Sequence, residues 1–163
     1  TIELAKIAAY MHDIGNVINR VDHAQSGAVM AFRILDKLGM PAEDISAVIT
    51  AIGNHDEHTA YPVNAIAAAL ILADKCDVRR SRVRNPRSIA FDIHDRVNYA
   101  VEKADLVTDK EERKIVLKLE INTDICAVID YFEIFMERML LCRKASDFFK
   151  MHFSLEINGQ AIM

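Results

Sequence analysis

The sequence predicts a mainly helical domain followed by a small α+β appendage, and two observations on apolar periodicity predict it. Apolar residues recur at helical spacing through the first part of the chain, which includes one stretch that is apolar on nearly every side. After Lys103 the period changes to two, which is typical of strands with one buried face. We therefore expect a helical domain over residues 1–102 and an α+β appendage over residues 103–163.

Three helices are expected before the apolar stretch. The first carries apolar residues at four positions with helical spacing, Leu4, Ile7, Ala8 and Met11. Gly15 is well placed to end this helix, Asp22 can cap the second helix, and Gly39 closes it. Pro41 opens the third helix, which ends near residues 53–55.

A buried helix and a basic connector follow. From Pro62 the stretch "VNAIAAALILADKCDV" is apolar on nearly every side until Asp74, so it predicts a helix in the middle of its domain. The connector "RRSRVRNPR" then leaves the core, and five arginines in it are interpreted by default as a solvated face: Arg79, Arg80, Arg82, Arg84 and Arg87. A further helix is expected over residues 88–101.

The appendage is predicted to contain antiparallel strands and one long helix. Apolar residues alternate in one strand at Ile115, Leu117, Leu119 and Ile121. The segment "ADLVTD" forms a hairpin with that strand around the polar "KEER". A long amphipathic helix over residues 125–140 follows, and then a strand that ends in a turn at Asn158-Gly159.

The composition limits the class of protein and its partners. Of the 163 residues, 52% are hydrophobic and 27% are charged, which is typical of a soluble globular protein. The net charge of -4 gives no general attraction to nucleic acid or to an anionic membrane, and no apolar run is long enough to span a bilayer. Cys76, Cys126 and Cys142 are odd in number and lie in helical patterns, which indicates reduced, buried thiols in a cytoplasmic protein.

Side chains that commonly bind metals are concentrated at the ends of the predicted helices. They are His12, Asp13, His23, His55 and Asp74. Imidazole and carboxylate groups suit divalent Mn, Fe, Mg or Zn. A buried, isolated aspartate is energetically costly, so a metal is the simplest partner for Asp74, although Lys75 or an arginine is an alternative.

Four segments in order, "HDIGN", "DHAQSGA", "NHDEH" and "ILADKCDVRR", resemble the HD-domain superfamily of metal-dependent phosphohydrolases. The resemblance implies a helical bundle in which a His-Asp doublet and a late Asp hold metal, and in which further histidines serve a second ion. It assigns the metal ligands to the matching positions His12, Asp13, His23, His55 and Asp74. It also implies catalytic roles for Asp13, His55 and Asp74, and substrate-phosphate contacts for Arg79, Arg80 and His58.

The resemblance further implies the type of reaction. We expect hydrolysis of a phosphoester or phosphoanhydride in a small nucleotide-like substrate, by a water molecule activated by one or two divalent metal ions. The better local match is to helical hydrolases that cleave nucleotide polyphosphates such as diadenosine tetraphosphate. Neither a membrane nor a nucleic acid is an expected partner, and a homodimer is left open.

Two departures from the family pattern leave alternatives open. The family's first His lies upstream of the doublet, where this chain has no room, so either the native chain is longer at its N-terminus or the site lacks that ligand. Asn16 stands where many members have lysine. A second hypothesis is therefore a catalytically idle HD domain that acts as a nucleotide sensor or interaction module. RNA binding through the arginines is weaker, because the net charge is negative and no aromatic residues lie among them.

Overall fold

The protein consists of helices followed by a small sheet, as the sequence predicts. A computed structural model describes residues 1–83 and 92–162. The α-helices of the described residues are α1 (Ile2–Met11), α2 (His23–Lys37), α3 (Ala42–Gly53), α4 (Ala65–Lys75), α5 (Ile93–Ala100) and α6 (Val128–Phe148). The strands are β1 (Val101–Asp109), β2 (Lys114–Ile121), β3 (His152–Ile157) and β4 (Gln160–Ala161). The predicted fold class is confirmed.

The chain divides into two compact units, Thr1–Asp74 and Lys75–Met163. The sequence-based boundary at residues 102 and 103 stays a prediction. None of the described helices combines the length and the apolar character that a membrane span requires.

The first unit has one hydrophobic core, built by α1, α2, α3 and α4. Its larger buried side chains are Met11, Leu35, Ile45, Val48, Ile52, Ile66 and Leu70. On α2 three of the five buried residues are small, namely Ala24, Gly27 and Ala31. The other two are His23 and Leu35. Small side chains let two backbones approach closely, so α2 can lie directly against the turn that follows α1.

The start of α2 differs from the sequence-based expectation. Asp22 occupies the N-cap position, but its side chain makes no capping hydrogen bond and its backbone is left-handed, with φ 56°. The backbone N–H and the hydroxyl group of Ser26 instead donate to the carbonyl oxygen of Asp22, at 3.0 and 3.1 Å. Ser26 therefore contributes the polar contacts of this helix start.

The second unit contains α5, α6 and a four-stranded sheet in the order β1-β2-β3-β4. β1 and β4 pair antiparallel with their neighbours, but β2 and β3 are parallel. The prediction of antiparallel strands is wrong for this pair, because α6 lies between β2 and β3 and forms the crossover that a parallel pair requires. The sheet buries the alternating residues Ile115, Leu117, Leu119, Ile121, Phe153, Leu155 and Ile157. Asn158 and Gly159 have φ of 50° and 78°, which confirms the predicted tight turn.

The strands, the first helix and the cysteines of the second unit can be compared with the sequence-based predictions. The strand expected at "ADLVTD" begins earlier, at Val101, and β4 was not expected. The helix expected over residues 88–101 is observed as Ile93–Ala100, and residues 84–91 lie outside the described part of the chain. Cys76, Cys126 and Cys142 are buried and form no disulfide, as predicted, and burial raises the pKa of the Cys126 thiol.

Candidate metal centre

The His-Asp doublet lies in the turn between α1 and α2. α1 ends at Met11, His12 is its C-cap, and a short 3-10 helix runs over Ile14–Val17. Gly15 is buried in this turn, where a Cβ atom would lie 2.0 Å from the backbone oxygen of His23 and 2.7 Å from the backbone nitrogen of Gly27. Glycine is therefore required at residue 15 to bring the doublet against the first turn of α2.

Replacing Gly15 with alanine is expected to destabilise the protein by about 2–3 kcal/mol, because an added methyl group would force backbone atoms apart. Gly53→Ala is the matched control, since the nearest atom to its Cβ position is the Cβ of Ala28 at 3.7 Å, an ordinary contact. Urea unfolding of both variants measures the difference. Equal stability of the two variants would contradict the close approach at Gly15.

Three histidines share one hydrogen-bond arrangement that directs Nε2 into a common space. In each, Nδ1 lies within hydrogen-bond distance of the carbonyl oxygen three residues earlier: His12 with Ala9 at 2.7 Å, His23 with Arg20 at 3.0 Å and His55 with Ile52 at 2.6 Å. A carbonyl oxygen only accepts hydrogen bonds, so Nδ1 is the protonated nitrogen of each neutral ring. Each Nε2 then presents a lone pair that can bind a metal ion. The carbonyl oxygen at Nδ1 fixes the orientation of the ring.

The carboxylate of Asp13 lies between two sets of these donors. Its Oδ1 is 3.3 Å from His23 Nε2 and 4.0 Å from His55 Nε2, and its Oδ2 is 3.6 Å from His12 Nε2. Asp74 Oδ1 lies 3.7 Å from the same His12 nitrogen. Oδ1 of Asp13 thus faces His23 and His55, whereas Oδ2 faces His12.

The distances fit a shared cation. Nitrogen and oxygen ligands lie about 2.0–2.2 Å from a zinc ion, so two donors to one such ion are at most about 4.4 Å apart. His23 Nε2 and His55 Nε2 are 3.2 Å apart, and two lone pairs repel at that distance unless a proton or a metal ion lies between them. Two groups of residues have donor atoms that all lie within 4.8 Å of one another and could hold a metal ion. The first group is His12, His55 and Asp74, and the second is Asp13, His23 and His55.

Comparison with known families identifies the helical region. The family model of the HD domain matches residues 1–97, which is more than half of the 163 residues. The chain belongs to the HD-domain family. Searches of curated proteins and of solved structures return no match to it. Metal binding is typical of HD domains, and the family is one of metal-dependent phosphohydrolases, so the His and Asp groups described above lie in the region expected to hold metal.

Two residues of this HD domain that were not predicted to be ligands approach the donor atoms. Arg20 Nη1 lies 3.6 Å from Asp13 Oδ1 and 3.4 Å from His23 Nε2. Asp56 Oδ1 lies 3.8 Å from His23 Nε2. Arg20 precedes α2 in an irregular segment without periodicity, whereas the position of Asp56 beside His55 was a signal that could have been used.

The predicted phosphate-binding residues His58, Arg79 and Arg80 have other surroundings. His58 is exposed in the segment after α3. Arg79 belongs to the second unit and pairs with Asp77 at 2.8 Å, and Arg80 donates to the backbone oxygen of Tyr99 at 2.7 Å and to Glu102 at 3.1 Å. Two further members of the arginine run, Arg84 and Arg87, lie outside the described residues.

Proposed function

We propose that this HD domain is a metal-dependent phosphohydrolase that cleaves a phosphoester or phosphoanhydride of a nucleotide-like substrate. The observation that carries the proposal is the position of Asp13, whose two oxygens face two sets of nitrogen and oxygen donors. One carboxylate shared between two cations is an arrangement that suits phosphate-ester hydrolysis, in which adjacent charges clamp the reacting oxygens.

Two sets of side chains would each hold one divalent ion. His12, Asp13 and Asp74 would hold one divalent ion, and Asp13, His23 and His55 would hold a second. Such ions supply Lewis acidity and lower the pKa of bound water. His23 and His55 are buried and their rings are fixed by backbone carbonyls, so they form the rigid base of the site. Asp13 is half exposed, so the substrate would approach from its side.

Arg20 supports the phosphate part of the proposal. Its guanidinium group lies beside Asp13, and its Nη1 is 3.5 Å from Asn16 Oδ1, so Asn16 helps to hold it there. A cation bound by Asp13 would repel the guanidinium group and compete for the carboxylate. Arg20 would then be available to an anionic oxygen of the substrate, which arginine binds in a bidentate manner. Arg20 lies four residues after Asn16, the position at which many members of the family carry lysine.

Arg79, Arg80 and His58 remain proposed phosphate contacts, but the two arginines already have acidic partners. The guanidinium group of Arg80 also lies over the Tyr99 ring, at 4.6 Å from its centroid. A substrate phosphate would have to draw Arg79 from Asp77 and Arg80 from Glu102. Of these three arginines, Arg20 has the longest contacts, so it is the one that can turn to the substrate at the lowest energetic cost.

Arg20→Gln is expected to lower kcat/KM on a nucleotide polyphosphate by about 10- to 100-fold, the usual worth of a charge-assisted hydrogen bond. Arg79→Gln and Arg80→Gln are expected to lower it less. Arg33→Gln is the matched control, because Arg33 is an exposed arginine of α2 ten residues beyond His23. Steady-state kinetics at equal metal content measure the four variants. A larger effect from the Arg79 and Arg80 variants would mean that these arginines, and not Arg20, bind the substrate phosphate.

The test of the proposed function is elemental analysis of the purified protein followed by a hydrolysis assay. We expect one or two equivalents of divalent metal, and metal-dependent release of phosphate or nucleotide from dinucleoside polyphosphates and mononucleotides. Metal binding without turnover of any phosphorylated substrate would favour the alternative function, a nucleotide sensor or interaction module. Protein that binds no divalent metal would contradict the proposal.

The expected location and partners belong to the same proposal. A small phosphorylated substrate, without nucleic acid or membrane, agrees with the net charge of -4. A cytoplasmic location is supported by Cys76, Cys126 and Cys142, none of which forms a disulfide.

A further inference from the structure

The sheet of the second unit has one long exposed edge. β1 lies at this edge and is nine residues long, whereas β4 at the opposite edge is two residues long. From Glu102 to Asp109 every side chain of β1 is exposed except that of Ala104, which is half-buried. Strand edges present backbone groups that can pair with another strand, and natural edges are often shielded by lysine, proline or a bulge. The bulge and Lys103 lie at the start of β1, so residues 104–108 carry none of these features.

Apolar side chains remain exposed on both faces of this edge. Leu106 is opposite Leu117 and Val107 is opposite Val116 in the β1–β2 pairing. Paired residues project from the same face of a sheet, and Leu117 is fully buried, so Leu106 belongs to the packed face and Val107 to the other. Leu106 is nevertheless 41% exposed and Val107 43% exposed. A further strand at this edge would cover both.

We propose that β1 pairs antiparallel with β1 of a second copy of the chain, about a twofold axis at Leu106. In this register Leu106 lies opposite Leu106 of the second copy. Lys103 lies opposite Asp109 of the second copy, and by symmetry the same pair forms twice. Opposite charges directly across two strands stabilise their pairing. The charge pattern of the edge is therefore complementary to itself.

Registers one or two residues away are opposed by like charges. A shift of one residue places Glu102 opposite Asp109 or Lys103 opposite Lys110, depending on its direction. A shift of two residues places Asp105 opposite itself or opposite Asp109. Like charges directly opposite each other destabilise a strand pair. The register centred on Leu106 also keeps the packed faces of both copies on the same side of the combined sheet, which a shift of one residue reverses.

The existing contacts of Lys103 and Asp109 are compatible with the proposed pairs. Lys103 Nζ lies 3.1 Å from Asp105 Oδ2 and 3.6 Å from Glu120 Oε1, and hydrogen bonding to Asp105 contributes most to raising the pKa of this lysine. Its ammonium group has three donors, so a third carboxylate can be added. Asp109 accepts backbone N–H groups of Glu111 and Glu112 through Oδ1, and Oδ2 is the oxygen that would face the second copy.

The test compares Leu106→Lys with Val107→Lys by sedimentation velocity over a concentration series. The wild-type protein is expected to form a dimer as its concentration rises. Leu106→Lys places two ammonium groups opposite each other and removes a leucine pair, so the dimer dissociation constant is expected to rise at least about tenfold. Val107→Lys places an ammonium group opposite Asp105 of the second copy, so that dimer is expected to persist or tighten. Both side chains are half exposed in one copy, and thermal unfolding checks that the variants remain folded.

Three outcomes would overturn the proposal: a wild-type protein that is monomeric at every concentration, equal weakening by the two substitutions, or weakening by Val107→Lys alone. Hydrogen exchange gives a second measurement on the wild-type protein. Edge-facing amides of β1 are expected to exchange more slowly as concentration rises, whereas exchange of the β2 amides stays the same. Unchanged exchange in β1 while a dimer is present would place the interface elsewhere.

Discussion

Replacing Asp13 with alanine is expected to abolish metal retention. Asp13 is the residue whose Oδ1 and Oδ2 face different donor sets, so its loss removes a ligand from both proposed ions. Altering a residue that only supports a ligand typically costs 10- to 100-fold in metal affinity, so removal of a shared ligand is expected to cost more than about 100-fold. Elemental analysis after gel filtration measures the metal content, and hydrolysis of the nucleotide substrate is expected to fall with it.

Asp36→Ala is the matched control, because Asp36 is an exposed aspartate on α2, more than three helical turns beyond His23. Its metal content and activity are expected to equal those of the wild-type protein. Circular dichroism separates loss of metal from loss of fold, since Asp13 lies in a turn and is half exposed. An Asp13→Ala protein with full metal content and normal helicity would show that the site assignment is wrong.

The metal-ligand candidates could be predicted from the sequence because each lies at the end of a periodic element. His12 follows α1, His23 begins α2, and Asp74 is next to the last residue of α4. Their order along the chain was enough to indicate the family. Arg20 could not be selected in this way, because it lies in an irregular segment whose conformation depends on tertiary contacts. Asp56 was not selected although its position next to His55 was a usable signal.

Periodicity was less informative about which face of a helix is buried. The sequence marks Val29 and Phe32 as apolar residues of α2, yet they are 70% and 46% exposed. The face that packs contains Ala24, Gly27 and Ala31 instead. The reason is steric, since a Cβ atom at Gly27 would already lie 3.3 Å from the backbone nitrogen of Gly15 and 3.4 Å from the backbone oxygen of His12, so a large side chain there would displace the doublet. A search of the sequence for large apolar residues therefore does not identify a buried helix face that is made of small residues.

Replacing His55 with alanine is expected to halve the metal content of a protein that holds two ions. The Nε2 atom of His55 is within 4.8 Å of donors in both groups, but a neutral imidazole nitrogen has one lone pair and can bind only one ion. Nδ1 does not offer a second site, since it donates to the backbone oxygen of Ile52 at 2.6 Å. The contact of 3.2 Å between His55 Nε2 and His23 Nε2 favours the ion held with His23 and Asp13.

The ion held by His12, Asp13 and Asp74 would keep its three ligands in the His55→Ala protein. His58→Ala is the control, because it removes an exposed imidazole only three residues along the chain. Elemental analysis of both variants, at equal protein concentration and after the same metal loading, distinguishes the possibilities. Retention of one equivalent in His55→Ala and two in His58→Ala supports two ions with separate ligand sets. Loss of both ions would mean that the two sites form a single cooperative cluster, and loss of neither would mean that His55 supports the core without binding metal.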